Sequence, residues 1–156
     1  MVKKLYLAII ICLTFSIPTL ADDIGFKYYE KGLYDKAFKI WAQEIKQGNK
    51  EAMYNMGLLY YFGQGVDQDL NLAFKYCEKA ALKGSARAQN NIAFMHMKGI
   101  GTKKSYIRAY AWSLIAIENG YNSHGIRDDA RVNLTPAMLS DANRLSSRIN
   151  KEIQDE

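Results

Sequence analysis

Few groups in this chain could do chemistry, and their spacing decides what each is for. His96 and His124 could serve as metal ligands or proton carriers, Cys77 as a nucleophile, and Asp67/Asp69 or Asp128/Asp129 as a carboxylate pair. Gly63-x-Gly65 and Gly99-x-Gly101 could cradle a phosphate, and Lys98, Lys103, Lys104 and Arg108 could meet an acidic partner. No H-E-x-x-H, Walker or G-x-S-x-G pattern brings any of these groups together. The histidines lie on different elements, with no ligand-like spacing around either. His96 reads as a packed residue facing a turn, and His124 as solvated or capping a helix. Cys77 falls on an apolar stripe, where burial raises a thiol's pKa and makes it inert. The aspartates sit beside helix starts or on solvated faces, where they cap and complement the helix dipole. The chain is therefore expected to be no enzyme, and to hold no metal and no cofactor. The basic run is either a docking patch for an acidic partner or a solvated loop.

The elements that position these groups follow from a repeat. Ala37, Ala73 and Ala109 lie 36 residues apart, and Gly48, Gly84 and Gly120 keep the same interval. Ala52 matches Ala88, Met56 matches Ile92, Gly57 matches Ala93, and the two glycine pairs coincide. Both pairs are thus repeat turns, and neither follows a strand. Each unit reads as two helices. Ala52, Met56, Leu59 and Tyr60 share one face of the first, and Ala73, Tyr76, Cys77, Ala80 and Ala81 form a stripe on the second. Between them Gly63 and Gly65 can take the left-handed backbone that ends a helix. The next unit repeats the plan with Ala88, Ile92, Met95 and His96, then Ala109, Trp112, Ala116 and Ile117. Small residues at Gly57, Ala73, Ala80 and Ala109 predict close backbone approach.

The first unit is shorter. A helix over 22–31 turns through Gly32-Leu33-Tyr34 straight into one bearing Ala37, Ile40, Trp41 and Ile45. At the other end, Asn122-Ser123 is set to cap a short helix reaching about Leu134. Thr135-Pro136 then starts a last helix with its stripe at Leu139, Ala142, Leu145, Ile149 and Ile153. The expected fold is all-α, a short α/α solenoid with N- and C-terminal capping helices. Its units are 22–50, 51–86, 87–121 and 122–156.

Residues 1–21 read as a signal peptide. Lys3 and Lys4 precede an apolar run from Leu5 to Ile17, and Thr19 and Ala21 fit the small-residue pair before a cleavage point. The run is shorter than the ~20 residues a bilayer span needs, so no membrane span is expected after removal. The expected location is periplasmic or secreted, with cleavage after Ala21. The formal net charge of +5 over 156 residues falls to +3 without the two leader lysines, too little to imply nucleic acid. Cys77 would be the remaining cysteine, so no intramolecular disulfide could form.

The unit from Ala52 to Gly84, with Gly57, Leu59, Tyr60, Gly63, Gly65, Val66, Asp69, Ala73, Ala80, Ala81 and Gly84, resembles the Sel1-like repeat. That family is an α/α solenoid related to tetratricopeptide repeats, with a longer glycine-bearing turn. The following unit resembles it more loosely, having Ala93, His96 and Thr102 at Gly57-, Tyr60- and Val66-type positions. The first unit is similar to a plain tetratricopeptide unit, and the ending to caps of exported bacterial members. The resemblance implies protein–protein interaction, as an adaptor or assembly factor, or alternatively as an immunity protein binding a secreted toxin. A disulfide-rich branch acts on β-lactams, but it carries a cysteine pair in each repeat, so a cell-wall or β-lactam hydrolase is the weak alternative.

With Ala52, Met56, Leu59 and Tyr60 facing inward, Tyr54, Leu58 and Tyr61 project from the opposite side of their helix. Their equivalents one repeat later are Asn90, Phe94 and Met97, and in the first helix Asp23, Lys27 and Glu30. First helices line the concave surface of such solenoids. Tyr54, Leu58, Tyr61, Asn90, Phe94 and Met97 are therefore the expected anchors for another protein, unless neighbouring helices or the cap cover Tyr61, Phe94 and Met97. A monomer is expected.

Overall fold

The computed structural model describes residues 24–155, so the leader assigned to 1–21 lies outside the described residues. Eight helices run in order: α1 Ile24–Glu30, α2 Tyr34–Lys46, α3 Lys50–Phe62, α4 Leu70–Leu82, α5 Ala86–Lys98, α6 Tyr106–Glu118, α7 His124–Arg131 and α8 Pro136–Asp155. No strand occurs among the described residues. The hairpins α1–α2, α3–α4 and α5–α6 stack in sequence, with α2 packed on α3 and α4 on α5. Both α7 and α8 close over α6, and α8 reaches back to α4. The architecture is the expected α/α solenoid.

Local chemistry sets the helix bounds. Asn49 Oδ1 accepts from the amides of Glu51 and Ala52 at 3.0 and 3.1 Å, and Asp69 Oδ1 accepts from Leu72 at 2.9 Å. Ser105 and Thr135 cap α6 and α8 in the same way, accepting from Arg108 and Met138. Capping of this kind is worth about 1 kcal/mol each. Gly63 and Gly99 end α3 and α5 in the left-handed conformation. At α7 one expectation, the Asn122-Ser123 cap, holds in part and one is corrected. Ser123 makes no capping bond; instead Asn122 Oδ1 accepts the His124 amide at 3.4 Å. The helix also ends at Arg131, short of Leu134, because Asn133 and Leu134 turn back onto the carbonyls of Ala130 and Arg131.

The 36-residue alanines Ala37, Ala73 and Ala109 are fully buried. At Gly57 a Cβ would stand 2.8 Å from Cys77 Sγ and 3.2 Å from the Ala73 carbonyl oxygen, so α3 and α4 meet at the closest approach their backbones allow. The core divides into three clusters along the stack. One holds Trp41, Met56 and Leu59, the central one holds Ile92, Trp112 and Ile115, and the last holds Met97, Tyr110 and Ala142. Ile149 and Ile153 of α8 pack on the central cluster, which is how the cap covers the last repeat.

Successive units are joined at one recurring point. Gly65, in the turn after α3, lies against Tyr34 and Asp35 at the start of α2; Gly101, in the turn after α5, lies against Leu70 and Phe74 at the start of α4. Each glycine-bearing turn thus leans back onto the second helix of the preceding unit. A polar brace adds to this at the opposite end of the units. Glu51 accepts from Arg87 at 2.7 Å and from Ser85 Oγ at 2.9 Å, and the Lys50 ammonium reaches the Gly84 carbonyl at 3.0 Å.

Candidate functional site: the cleft between α3 and α5

Because α4 lies between them, α3 and α5 do not pack backbone to backbone. The space left is a cleft of about 380 Å³, lined by Tyr54, Leu58, Tyr61 and Phe62 from α3, Asn91, Phe94 and Met95 from α5, and Cys77 from α4. A volume of this size takes one or two side chains of an incoming segment. Tyr54 and Tyr61 touch the central core cluster with part of their surface, and Phe94 touches the C-terminal one. Leu58 differs: it lines the cleft, half-buried, and packs on none of the three clusters. Phe62 at the end of α3 is 56% exposed. An apolar wall that includes side chains the core does not use, Leu58 and Phe62, is the property expected of a binding surface.

Four of the six anticipated anchors, Tyr54, Leu58, Tyr61 and Phe94, come together here. Asn90 is half-buried but does not line the cleft; its neighbour Asn91 does. Met97 is 7% exposed, buried with Ala109, Tyr110, Ala130 and Ala142, so it is no anchor. The reason is geometric. Positions 54, 58 and 61 face the first helix of the next unit, which for α3 is α5. Of their equivalents, Met97 faces α7, the first helix after the α5–α6 hairpin, whose small Ala130 packs close enough to cover it, while Phe94 borders both that cluster and the cleft. The wall that faces back across the cleft is the other flank of α5, carrying Asn91, Phe94 and Met95. Asp23 lies outside the described residues, and Lys27 and Glu30 are exposed on α1.

The cleft offers neutral polar groups and no catalytic set. Burial raises the Tyr54 hydroxyl above its ordinary pKa, with nearby Cys77 adding to the effect, so it stays a protonated donor. Cys77, 2% exposed, is pushed up to about 12 by burial, partly offset by a hydrogen bond with Asn91. A thiol held so far from its thiolate is a floor residue, as anticipated, and not a nucleophile. His96 lies on the far side of α5, 3% exposed and edge-on to the Phe74 ring at 5.2 Å. Burial lowers its pKa to about 4, against a backbone hydrogen bond at Lys103 that raises it. It is the packed residue behind the turn that its equivalence to Tyr60 predicts. His124 is exposed, its ring 3.0 Å from Asn122 Oδ1. Among the described residues no three His, Cys, Asp or Glu side chains gather to hold a metal ion.

A family model described as Sel1 repeat matches residues 50–85 and 86–121, which are α3–α4 and α5–α6 with their connections. The chain is a Sel1-like repeat protein. Among curated relatives of this Sel1-like protein, the ERAD-associated E3 ubiquitin-protein ligase component HRD3B of Arabidopsis thaliana is 32% identical over 72 residues, 46% of this chain and 12% of that protein. Protein sel-1 homolog 2 of Mus musculus is 37% identical over 73 residues, 46% of this chain and 11% of that protein. The chain thus matches about a tenth of the length of these relatives. Among solved structures, a protective antigen of uropathogenic Escherichia coli strains displaying an SLR fold superposes with a TM-score of 0.80 at 26% identity, over 84% of this chain and 29% of that one. A Sel1 repeat protein from Oxalobacter formigenes gives 0.58 at 33% identity, over 62% and 42%.

Sel1 repeats are generally protein–protein interaction modules, typically without enzymatic activity. In this Sel1-like protein no helix among the described residues is long and apolar enough to cross a membrane. Its two matched repeats enclose the cleft between their first helices, so the family assignment and the cleft concern the same residues. Sequence reasoning missed Phe62, Asn91, Met95 and Cys77 as lining residues. The available signal was that a cleft between parallel helices has two unlike walls, so the facing residues are offset from the repeat register.

Proposed function

We propose that this Sel1-like repeat protein is exported and acts as an adaptor or assembly factor, holding a segment of another protein in the α3–α5 cleft. The observation that carries the reading is Leu58, an aliphatic side chain that lines the cleft and packs on no core cluster. A segment inserting an apolar side chain there gains ~1.5–3 kcal/mol from its burial, between aromatic walls that are already in place. Export is supported by the Lys3/Lys4, Leu5–Ile17 and Ala21 pattern, and by the similar E. coli structure being that of a protective antigen.

The test is capture of partners from periplasmic extract on tagged protein beginning at Asp22, beside its Leu58→Glu variant. One stoichiometric partner, lost with Leu58→Glu and weakened by ~2 kcal/mol or more with Tyr54→Ala and Phe94→Ala together, supports the reading. A partner retained at full strength by both variants would overturn the cleft as its site. N-terminal sequencing of protein made from the full gene tests export. Asp22 as first residue in the periplasmic fraction is the expected result, and an intact Met1 in the cytoplasmic fraction is the contrary one.

A further inference from the structure

His96 stands where the second repeat is fastened to its own turn and, through that turn, to α4. Its carbonyl accepts the Ser105 amide at 2.8 Å, and its ring hydrogen-bonds to the Lys103 backbone, so main chain and side chain both hold residues 99–105 against α5. That turn leans, through Gly101, onto Leu70 and Phe74, and the His96 ring is edge-on to the same Phe74 ring. The first repeat is built alike. The Tyr60 carbonyl accepts the Asp69 amide at 3.0 Å, and the Tyr60 ring packs on Phe38 of α2 and Tyr76 of α4. The difference is chemical: a phenol at this position stays neutral in acid, whereas an imidazole there takes a proton.

The surroundings offer that proton no counterpart. His96 is 3% exposed, and its Nδ1 has no hydrogen-bond partner among the described residues. From α4 it meets the Phe74 ring; Lys75 and Glu78 follow along that helix without acting on the imidazole, and Asp69 at its start is committed to the Leu72 amide. From α6 it meets Arg108, whose positive charge disfavours a second one. Lys98, Lys103 and Lys104, on α5 and the turn, are exposed and of the same sign. A protonated His96 is therefore a buried cation with an unmet donor, and carrying the ring into water relieves it. At the opposite end of the units Glu51 holds Arg87 and Ser85, and Lys50 holds the Gly84 carbonyl, so the two hairpins stay joined there.

We propose that His96 is an acid-sensitive latch: when it takes up a proton, the turn 99–105 and the end of α5 lift from α4 while the rest of the stack remains folded. The released end of α5 carries Met95, so that wall of the cleft loosens beside Phe62. The latch is a property of the fold and stands whether or not the cleft holds a partner.

The test is hydrogen exchange of the folded protein, resolved by peptide with mass spectrometry at pH 7.5 and pH 5, with the chemical exchange rate at each pH divided out. With a folded pKa of about 4 against the ordinary 6.5, opening of residues 96–105 should rise roughly twentyfold between these conditions, and α2 and α3 should change far less. His96→Tyr installs the residue the first repeat already carries at this position, and it should abolish the rise. Arg108→Gln relieves the repulsion and brings the folded pKa nearer its ordinary value, so there the rise should shrink. A rise that His96→Tyr retains, that Arg108→Gln leaves at full size, or that spreads evenly over all the helices overturns the latch, as does no rise at all.

Discussion

A single methyl group at Gly101 measures how strongly the units depend on the turn that joins them. Its φ of +62° lies in the left-handed region, where an L side chain costs ~1–2 kcal/mol by itself. The added Cβ would also overlap the Leu70 carbonyl oxygen and stand 2.7 Å from the Leu70 carbonyl carbon and 3.0 Å from Phe74 Cβ. Restoring ordinary contact requires the whole turn to withdraw from α4, and overpacking of this kind costs ~1–3 kcal/mol. Gly120 supplies the control: its φ is +82°, and nothing lies within 4 Å of its Cβ position. Gly101→Ala should therefore lose ~2–5 kcal/mol and Gly120→Ala only the conformational ~1–2 kcal/mol. In urea melts followed by helical circular dichroism, that places the Gly101→Ala midpoint lower by about 1 M, for the slope usual in a domain of this size. Gly65→Ala should behave like Gly101→Ala, since its Cβ would meet Tyr34 Cβ at 2.7 Å. Equal midpoints for the Gly101 and Gly120 variants would refute the claim that the turns hold the stack together.

His96 gives a pH signature. Its folded pKa of about 4 lies below histidine's ordinary 6.5, so the folded state binds fewer protons than the unfolded state between those values. Its contribution is fully present above pH 6.5 and is lost as pH falls toward 4, amounting to ~3 kcal/mol. His96→Phe should remove that part of the decline in a series of melts from pH 7 to pH 4. Cys77 should react with iodoacetamide at pH 8 only as fast as the protein opens, and label rapidly in denaturant; fast labelling of native protein would contradict its burial. Asn49→Ala, which leaves the Glu51 and Ala52 amides without their shared acceptor, should cost about 1 kcal/mol in chemical denaturation.

Much of the architecture was legible because one interval recurs. The alanines at 37, 73 and 109 locate three second helices, and the paired glycines locate the two long turns. Thr135-Pro136 locates the start of α8, because cap chemistry is local. The terminal units were harder to read, since no second copy constrains them. That Asn122 and not Ser123 caps α7, and that Gly25 lies against the Trp41 indole, depend on contacts the interval does not encode. For the cleft, the α3 wall of Tyr54, Leu58 and Tyr61 followed from the apolar stripe on its opposite face. The α5 wall did not, because repeat equivalence finds residues that point the same way, whereas a cleft is made by residues that point at each other. Asn91 and Met95 replace Asn90 and Met97 for that reason.

The central claim is that the α3–α5 cleft holds a segment of another protein. A photo-crosslinking amino acid placed at Leu58, compared with one at exposed Lys79 on α4, tests it most directly in cells expressing the full chain. The account predicts a discrete adduct from position 58 that is absent from position 79 and is competed by a peptide with an apolar core. An adduct from position 79 alone, or equal adducts from both positions, would contradict it.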